Sequence, residues 1–261
     1  MNALEPIVAL TRKEVARRRR AVPAGVLERS AAGCMRVAAT RSFADAIAAP
    51  GMSLIAEHKR RSPSAGTIRE GLALEQVVQA YQQGGAAALS VVTEGSRFGG
   101  SLEDLRAARA TAALPVLRKD FIVDPYQVVE SRAAGADGVL LIVAAVSARE
   151  LSALYGCATD LGLATLVEVH DERELDVAMA LGAAIIGINN RDLTTLRVDP
   201  RRTFELLPRV ADSDTLVVAE SGYSRRAELD ELAAAGVDGV LIGEALMRST
   251  EIETTCRELA R

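Results

Sequence analysis

GVDGVLIGE, at residues 236–244, decides how this chain is read. A glycine stops a helix-like stretch, a short turn follows, and the run VLI closes on a glycine and a carboxylate. An uninterrupted apolar run of this length reads as a strand buried on both faces, the kind found in parallel sheets. The same phrase recurs as GGAAALSVV at 84–92, GADGVLLIV at 135–143 and GAAIIGINN at 182–190. The repeat is about 50 residues long, which is room for two strand–helix units. Between the repeats lie SLIAEHK at 53–59, LPVLRKD at 114–120, ATLVEVH at 164–170 and LVVAES at 216–221, making eight strand candidates. The intervals carry helical periodicity, as in GLALEQVVQAYQQ and SLEDLRAARA. Regular alternation of strand and helix means parallel strands with helical crossovers. Eight such units in 261 residues fit an α/β fold of the closed (β/α)8 (TIM) barrel type. The alternative, an open doubly wound sheet, would carry a phosphate-binding glycine fingerprint after its first strand, and none stands there.

Residues 1–261 are read as one barrel domain, with 1–50 as an N-terminal helical extension packed on it. Leu4, Ile7, Val8 and Val15 share one face of a first helix. The basic run at 17–20 reads as a solvated helix face, and a less regular stretch rich in Ala and Arg continues to about Pro50. Aromatic residues make up only 3% of the chain and Trp is absent, so the core is built from Ala, Val, Leu and Ile. The net charge of −4 gives no bulk attraction for nucleic acid. Cys34, Cys157 and Cys256 lie far apart, with neither zinc spacing nor a disulfide framework. No apolar run approaches the roughly 18–20 residues that cross a bilayer, and the first residues lack the order of a signal peptide. These features point to a cytoplasmic protein with reduced thiols, no nucleic-acid or membrane partner and no metal site.

Barrel enzymes place their chemistry at the C-terminal ends of the strands. The first candidate strand ends in Glu57, His58 and Lys59, the third in Lys119 and Asp120, the fifth in Glu168 and His170. The sixth ends in Asn189, Asn190 and Arg191, the seventh in Glu220 and Ser221, the eighth in Gly243 and Glu244; only the fourth runs out apolar. One charged strand end is ordinarily solvated. Lysine, carboxylate or amide at the ends of most strands is a different matter, because such groups clustered together shift one another's proton affinities, as acid–base catalysis requires. Alternation puts Glu57 and Lys59 on one face and turns His58 toward the helices, so no catalytic role is assigned to His58. The loops after strands seven and eight commonly hold phosphate in barrels. Ser221, Gly222 and Gly243 stand there, with Glu244 contributing only its N–H, and Ser62 in KRRSPSAG could donate to the same anion. Of Arg60 and Arg61, at least one is read as surface charge.

The strand-end motifs IAEHKRRSPSAG, TEGSRFGGS, PVLRKDFIVDPYQ, LVEVHDERE, GINNRDL and AESG followed by LIGEALM resemble, in order, those of the indole-3-glycerol phosphate synthase family. The resemblance runs from about residue 53 to 247. It implies conversion of 1-(2-carboxyphenylamino)-1-deoxyribulose 5-phosphate to indole-3-glycerol phosphate by ring closure, decarboxylation and dehydration, with no cofactor, as a step of tryptophan biosynthesis. It gives Lys119 the role of acid and electrostatic stabiliser at the ketone oxygen, and Lys59 that of carboxylate holder or second acid. Glu57 and Glu168 match the carboxylates of the dehydration, Asn189 contacts substrate hydroxyls, and Glu220, Ser221 and Arg191 complete the rim. Phe98 and Phe121 would form the slot for the anthranilate ring, with Leu140 as a weaker candidate; both phenylalanines serve equally well as loop anchors. The chain departs from the family pattern at His58, more usually apolar, and at Ala65, often lysine. The expected partner is a small phosphorylated substrate, and the expected state a monomer or weak homo-oligomer. Two other readings are a phosphoribosyl-anthranilate isomerase, which would need a cysteine–aspartate acid–base pair near strand ends, and a non-catalytic barrel, which would show damage among Glu57, Lys59, Lys119, Glu168 and Asn189.

Overall fold

The computed structural model describes residues 4–37, 40–210 and 213–261. Every strand candidate is a strand: β1 (Ser53–His58), β2 (Ala88–Val92), β3 (Val116–Lys119), β4 (Gly138–Ile142), β5 (Ala164–Val169), β6 (Ile185–Asn189), β7 (Leu216–Glu220) and β8 (Gly239–Ile242). Each pairs in parallel with its neighbours in sequence, and β1 pairs with β8 to close the barrel. The open-sheet alternative is thereby excluded.

Alternation along the strands sorts side chains into two cores. Leu54 and Ala56 of β1, Val139 and Leu141 of β4, and Val167 and Val169 of β5 pack outward under the helices. Ile55, Ala88, Leu117, Leu140, Leu166, Ile185, Val218 and Leu241, one from each strand, fill the interior. Full burial of an aliphatic side chain of this size contributes about 1.5–3 kcal/mol. The residue two positions further along each strand shares the inward face: Glu57, Ser90, Lys119, Ile142, Glu168, Gly187, Glu220 and Gly243. The apolar plug and the polar mouth are therefore consecutive layers of the same alternation.

The crossovers are α4 (Leu74–Gln83), α5 (Leu102–Thr111), α6 (Pro125–Ala133), α7 (Ala148–Asp160), α8 (Glu172–Leu181), α9 (Arg201–Leu206) and α10 (Arg226–Ala235), with α11 (Glu244–Arg248) and α12 (Ile252–Ala260) after β8. Local chemistry starts several of them. Ser101, Asp124, Ser147 and Asp171 each accept a backbone N–H of the first turn of the helix they precede.

The N-terminal segment departs from expectation. α1 (Leu4–Ala21) buries Leu4, Ile7 and Val15 as read, with Val8 half-buried. The stretch read as irregular contains two helices, α2 (Ala24–Val37) and α3 (Phe43–Ile47); Ala38 and Ala39 lie outside the described residues. α2 packs against α6, where Cys34 Sγ reaches Ala133 O at 3.6 Å. α3 closes the bottom of the barrel with Phe43 and Ile47, both fully buried.

Candidate active site

A cavity of about 640 Å³ opens at the C-terminal ends of the strands. Its polar wall includes Glu57, Lys59, Lys119, Glu168, Asn189 and Glu220, the six residues expected to carry catalysis. Phe98, Phe121 and Leu140 line it too, with the two rings tilted at 48° and 6.4 Å apart. Arg191, Ser221, Gly222, Gly243 and Glu244 complete the expected set. Ser62 does not line the cavity; its Oγ accepts the N–H of Ala65 at 3.1 Å.

The charged groups form two linked pairs. Lys59 Nζ donates to Glu57 Oε1 at 2.7 Å. Lys119 Nζ donates to Glu168 Oε2 at 3.2 Å and stands 3.3 Å from Glu220 Oε2. Burial works against the Lys119 ammonium, yet Glu168, Glu220 and Glu57 outweigh it and raise its pKa, so the lysine stays charged. The three carboxylates do not behave alike. Burial raises each of them, but Lys59 and Lys119 bring Glu57 below the usual carboxylate range, and Lys119 and His170 do the same for Glu168. At Glu220 burial prevails over Lys119, with repulsion from Glu168 added, and the carboxyl is pushed up; its Oε1 has no hydrogen-bond partner. The mouth thus sets a carboxyl whose proton affinity is lowered and one whose proton affinity is raised beside one ammonium. Groups pushed apart in this way are suited to act as base and acid.

Two glycines make room for these carboxylates. A Cβ at Gly187 would collide with Glu220 Oε1, and one at Gly243 with Glu57 Oε1. Gly243 therefore serves the site through the space it leaves, its φ of −122° being open to other residues. Gly222 does need its glycine conformation, at φ 98°, beside Ser221 at φ 66°. Asn190 locks that turn from behind. Its Nδ2 donates to Ser221 O and Tyr223 Oη, both at 3.0 Å, while its Oδ1 accepts from Thr203 N and Oγ1. Glu244 pairs with Arg248 at 3.0 Å.

The loops are held by similar devices. Glu94 accepts the backbone N–H groups of Ser96, Arg97 and Phe98, shaping the loop that presents Phe98. Arg60 makes a two-pronged pair with Asp104 at 2.7 Å and donates to Gly99 O at 3.1 Å, clasping the loops after β1 and β2. Behind β3, fully buried Arg118 bonds Thr93, Asp120, Glu130, Ser131 and the Gln127 carbonyl. Asp120 in turn accepts Phe121 N at 2.8 Å, which fixes the start of the loop carrying Phe121.

His58 faces the helices as expected and has its pKa lowered to about 4, by burial first and Arg60 second. His170, given no role from sequence, needs correction. Its Nε2 lies 3.2 Å from Glu168 Oε1, and its Nδ1 2.9 Å from Glu174 Oε2. The signal was present: the alternation that joins Glu57 to Lys59 also joins Glu168 to His170.

Among the described residues, no group of three or more His, Cys, Asp or Glu is placed to hold a metal, and no helix is long and apolar enough to cross a membrane. Cys34, Cys157 and Cys256 sit on α2, α7 and α12, away from every strand end. The isomerase reading finds no cysteine for its acid–base pair at the cavity, and Glu57, Lys59, Lys119, Glu168 and Asn189 stand together at the mouth.

Fold and site define an enzyme of the (β/α)8 barrel class whose catalytic mouth holds ammonium groups among buried carboxylates. Residues 4–259 match the profile of the indole-3-glycerol phosphate synthase family, and the chain belongs to that family. It is 48% identical over 248 residues to "Indole-3-glycerol phosphate synthase" of a Parafrankia species, covering 94% of this chain and 90% of that one. It is 46% identical over 259 residues to the Nocardioides protein of the same name, covering 99% and 98%. Among solved structures it resembles thiamine phosphate pyrophosphorylase of Pyrococcus furiosus, with TM-score 0.61, 20% identity, and coverage of 84% and 96%. It also resembles a chain of the tryptophan synthase complex of Pyrococcus furiosus, with TM-score 0.60, 15% identity, and coverage of 79% and 97%. Both likenesses concern the barrel alone.

Proposed function

We propose that this chain closes the indole ring, converting 1-(2-carboxyphenylamino)-1-deoxyribulose 5-phosphate to indole-3-glycerol phosphate, CO₂ and water. The observation that carries this reading is the Lys119 ammonium held 3.2 Å from Glu168 and 3.3 Å from Glu220, both buried, beside an aromatic wall. The anthranilate ring lies against Phe98, Phe121 and Leu140, and the phosphate sits at the backbone of Ser221, Gly222 and Gly243. Ring closure places negative charge on the ketone oxygen. Lys119 faces that oxygen as donor, and a fixed charge placed where negative charge develops stabilises it. Lys59, tied to Glu57, takes the substrate carboxylate until it leaves as CO₂. Dehydration then needs a proton delivered to the departing hydroxyl, which leaves as water, and another removed from the ring CH2 that was C1 of the ribulose chain, the nitrogen keeping its hydrogen in the indole. Lys119 delivers the first and is recharged by Glu220, whose proton affinity is raised, while Glu168, whose proton affinity is lowered, accepts the second. Asn189 and Arg191 orient the substrate hydroxyls.

The three thiols, all free, suit a reducing compartment. We place the protein in the cytosol, as one domain acting as a monomer or weak homo-oligomer. The test is direct: incubate purified protein with the carboxyphenylamino substrate and follow indole fluorescence. Saturable turnover supports the reading, and folded protein without turnover from pH 5 to 9 sinks it.

A further inference from the structure

Lys119 is shared by Glu168 and Glu220, so one cation serves two buried carboxylates. Something must decide which of them keeps its proton, and the asymmetry lies on the far side of Glu168. There His170 rests on the first turn of the chain leading into α8, 10% exposed and outside the cavity wall. Its backbone N–H donates to Glu174 Oε2 at 2.8 Å, and its Nδ1 meets the same oxygen at 2.9 Å. Nε2 then points to Glu168 Oε1 at 3.2 Å, close enough for a strong charge contact without the alignment of a hydrogen bond. Glu220 has no counterpart: its Oε1 ends against Gly187 with no donor.

We propose that His170 is a positioning residue whose imidazole, clamped between Glu168 and Glu174, aims Glu168 at Lys119 and gives it a second positive partner. The proposal rests on the assignment of Glu168 as a working carboxylate. The groups facing the imidazole are Glu168 from β5 and Glu174 from α8. Beyond Glu168 come Lys119 and Asn189, which touch it, and Glu57 and Glu220 across the mouth. Glu172 and Asp176 of α8 are occupied by Arg209 at the surface. Burial opposes the imidazolium, but the two carboxylates outweigh it and raise His170 to about 9.

The chain has only two histidines, so imidazole signals from histidine-labelled protein can be read without ambiguity. His58 should titrate near 4 and His170 near 9. Glu168→Gln and Glu174→Gln should each lower the second value. Titration of His170 at an ordinary histidine pKa would overturn the proposal. Kinetics supply the second arm. His170→Gln should lower kcat about tenfold with little change in KM. Its acid limb should move up by about one pH unit, because Glu168 has lost a cation. His170→Lys, which keeps a charge there, should recover most of the loss. A uniform loss at every pH, unrecovered by lysine, would mean a purely structural role and overturn the proposal. If His170→Gln does not fold, Glu174→Gln carries the test: the alkaline limb of kcat should move down, and an unmoved limb would overturn the proposal. Absence of synthase turnover in the unaltered protein would sink the functional reading and leave the titrations standing.

Discussion

Arg118 and Lys119 are neighbours on β3, both out of bulk water, yet they face opposite ways and are used oppositely. Arg118 points outward and has five partners, with every charge beside it answered. Lys119 points inward to carboxylates that compete for it, one of them with an unpartnered oxygen. A buried charge with a complete set of fixed partners is architecture, because desolvation is matched by bonds that nothing disturbs. A charge shared by competing carboxylates and facing a cavity is placed to meet whatever enters it.

The largest effect should come from Lys119→Met, which keeps length and removes charge. We expect kcat to fall by about 10³-fold or more, with circular dichroism unchanged. Turnover within tenfold of the parent would erase the distinction between the two faces of β3. Arg118→Met should do the reverse. Leaving Asp120 buried without its cation, and Glu130 with Arg18 alone, should cost about 3–5 kcal/mol in urea unfolding, while kcat of the folded protein changes by less than about tenfold. A loss under about 1 kcal/mol would show that the outer network is dispensable.

The smallest effect sharpens the inward face. Glu220 has a raised pKa, by burial and by Glu168 against the pull of Lys119. Folded protein holds that proton where unfolded chain has released it, so its stabilising contribution is present at low pH and lost as pH rises through the folded value. Glu220→Gln should match the parent in stability near pH 4 and exceed it above, the gap widening by up to about 1.4 kcal/mol per pH unit. Thermal unfolding from pH 4 to 9 measures this, and a gap that stays constant would count against a protonated Glu220.

Much of this was legible in the chain itself. Glycine-led apolar runs located four of the barrel strands, and the apolar segments between them the other four, because a strand buried on both faces leaves an unbroken run. Charges at strand ends located the cavity, because alternation allows few places for them. What escaped was whatever depended on packing. α2 carries two glycines, Gly25 and Gly33, which mask a helix in the sequence, and it packs against α6. Arg118 was invisible beside Lys119 because its partners come from α6 and the end of β2. Asn190 read as a companion of Asn189, although it faces away and holds the Ser221 turn. His170 alone was missed by a rule already in use on β1, since the step of two from Glu168 leads straight to it.

Gly187 and Gly243 each stand beside a glutamate and leave it the volume of one methyl group. The catalytic mouth is thus a mould, shaped by its voids as firmly as by its walls. Where Glu57 and Glu220 can sit is inherited from two positions that a search for reactive side chains would never visit. A single added carbon at either would shift a buried carboxylate while leaving the chain's charge untouched. The acid set of this barrel is written partly in hydrogens.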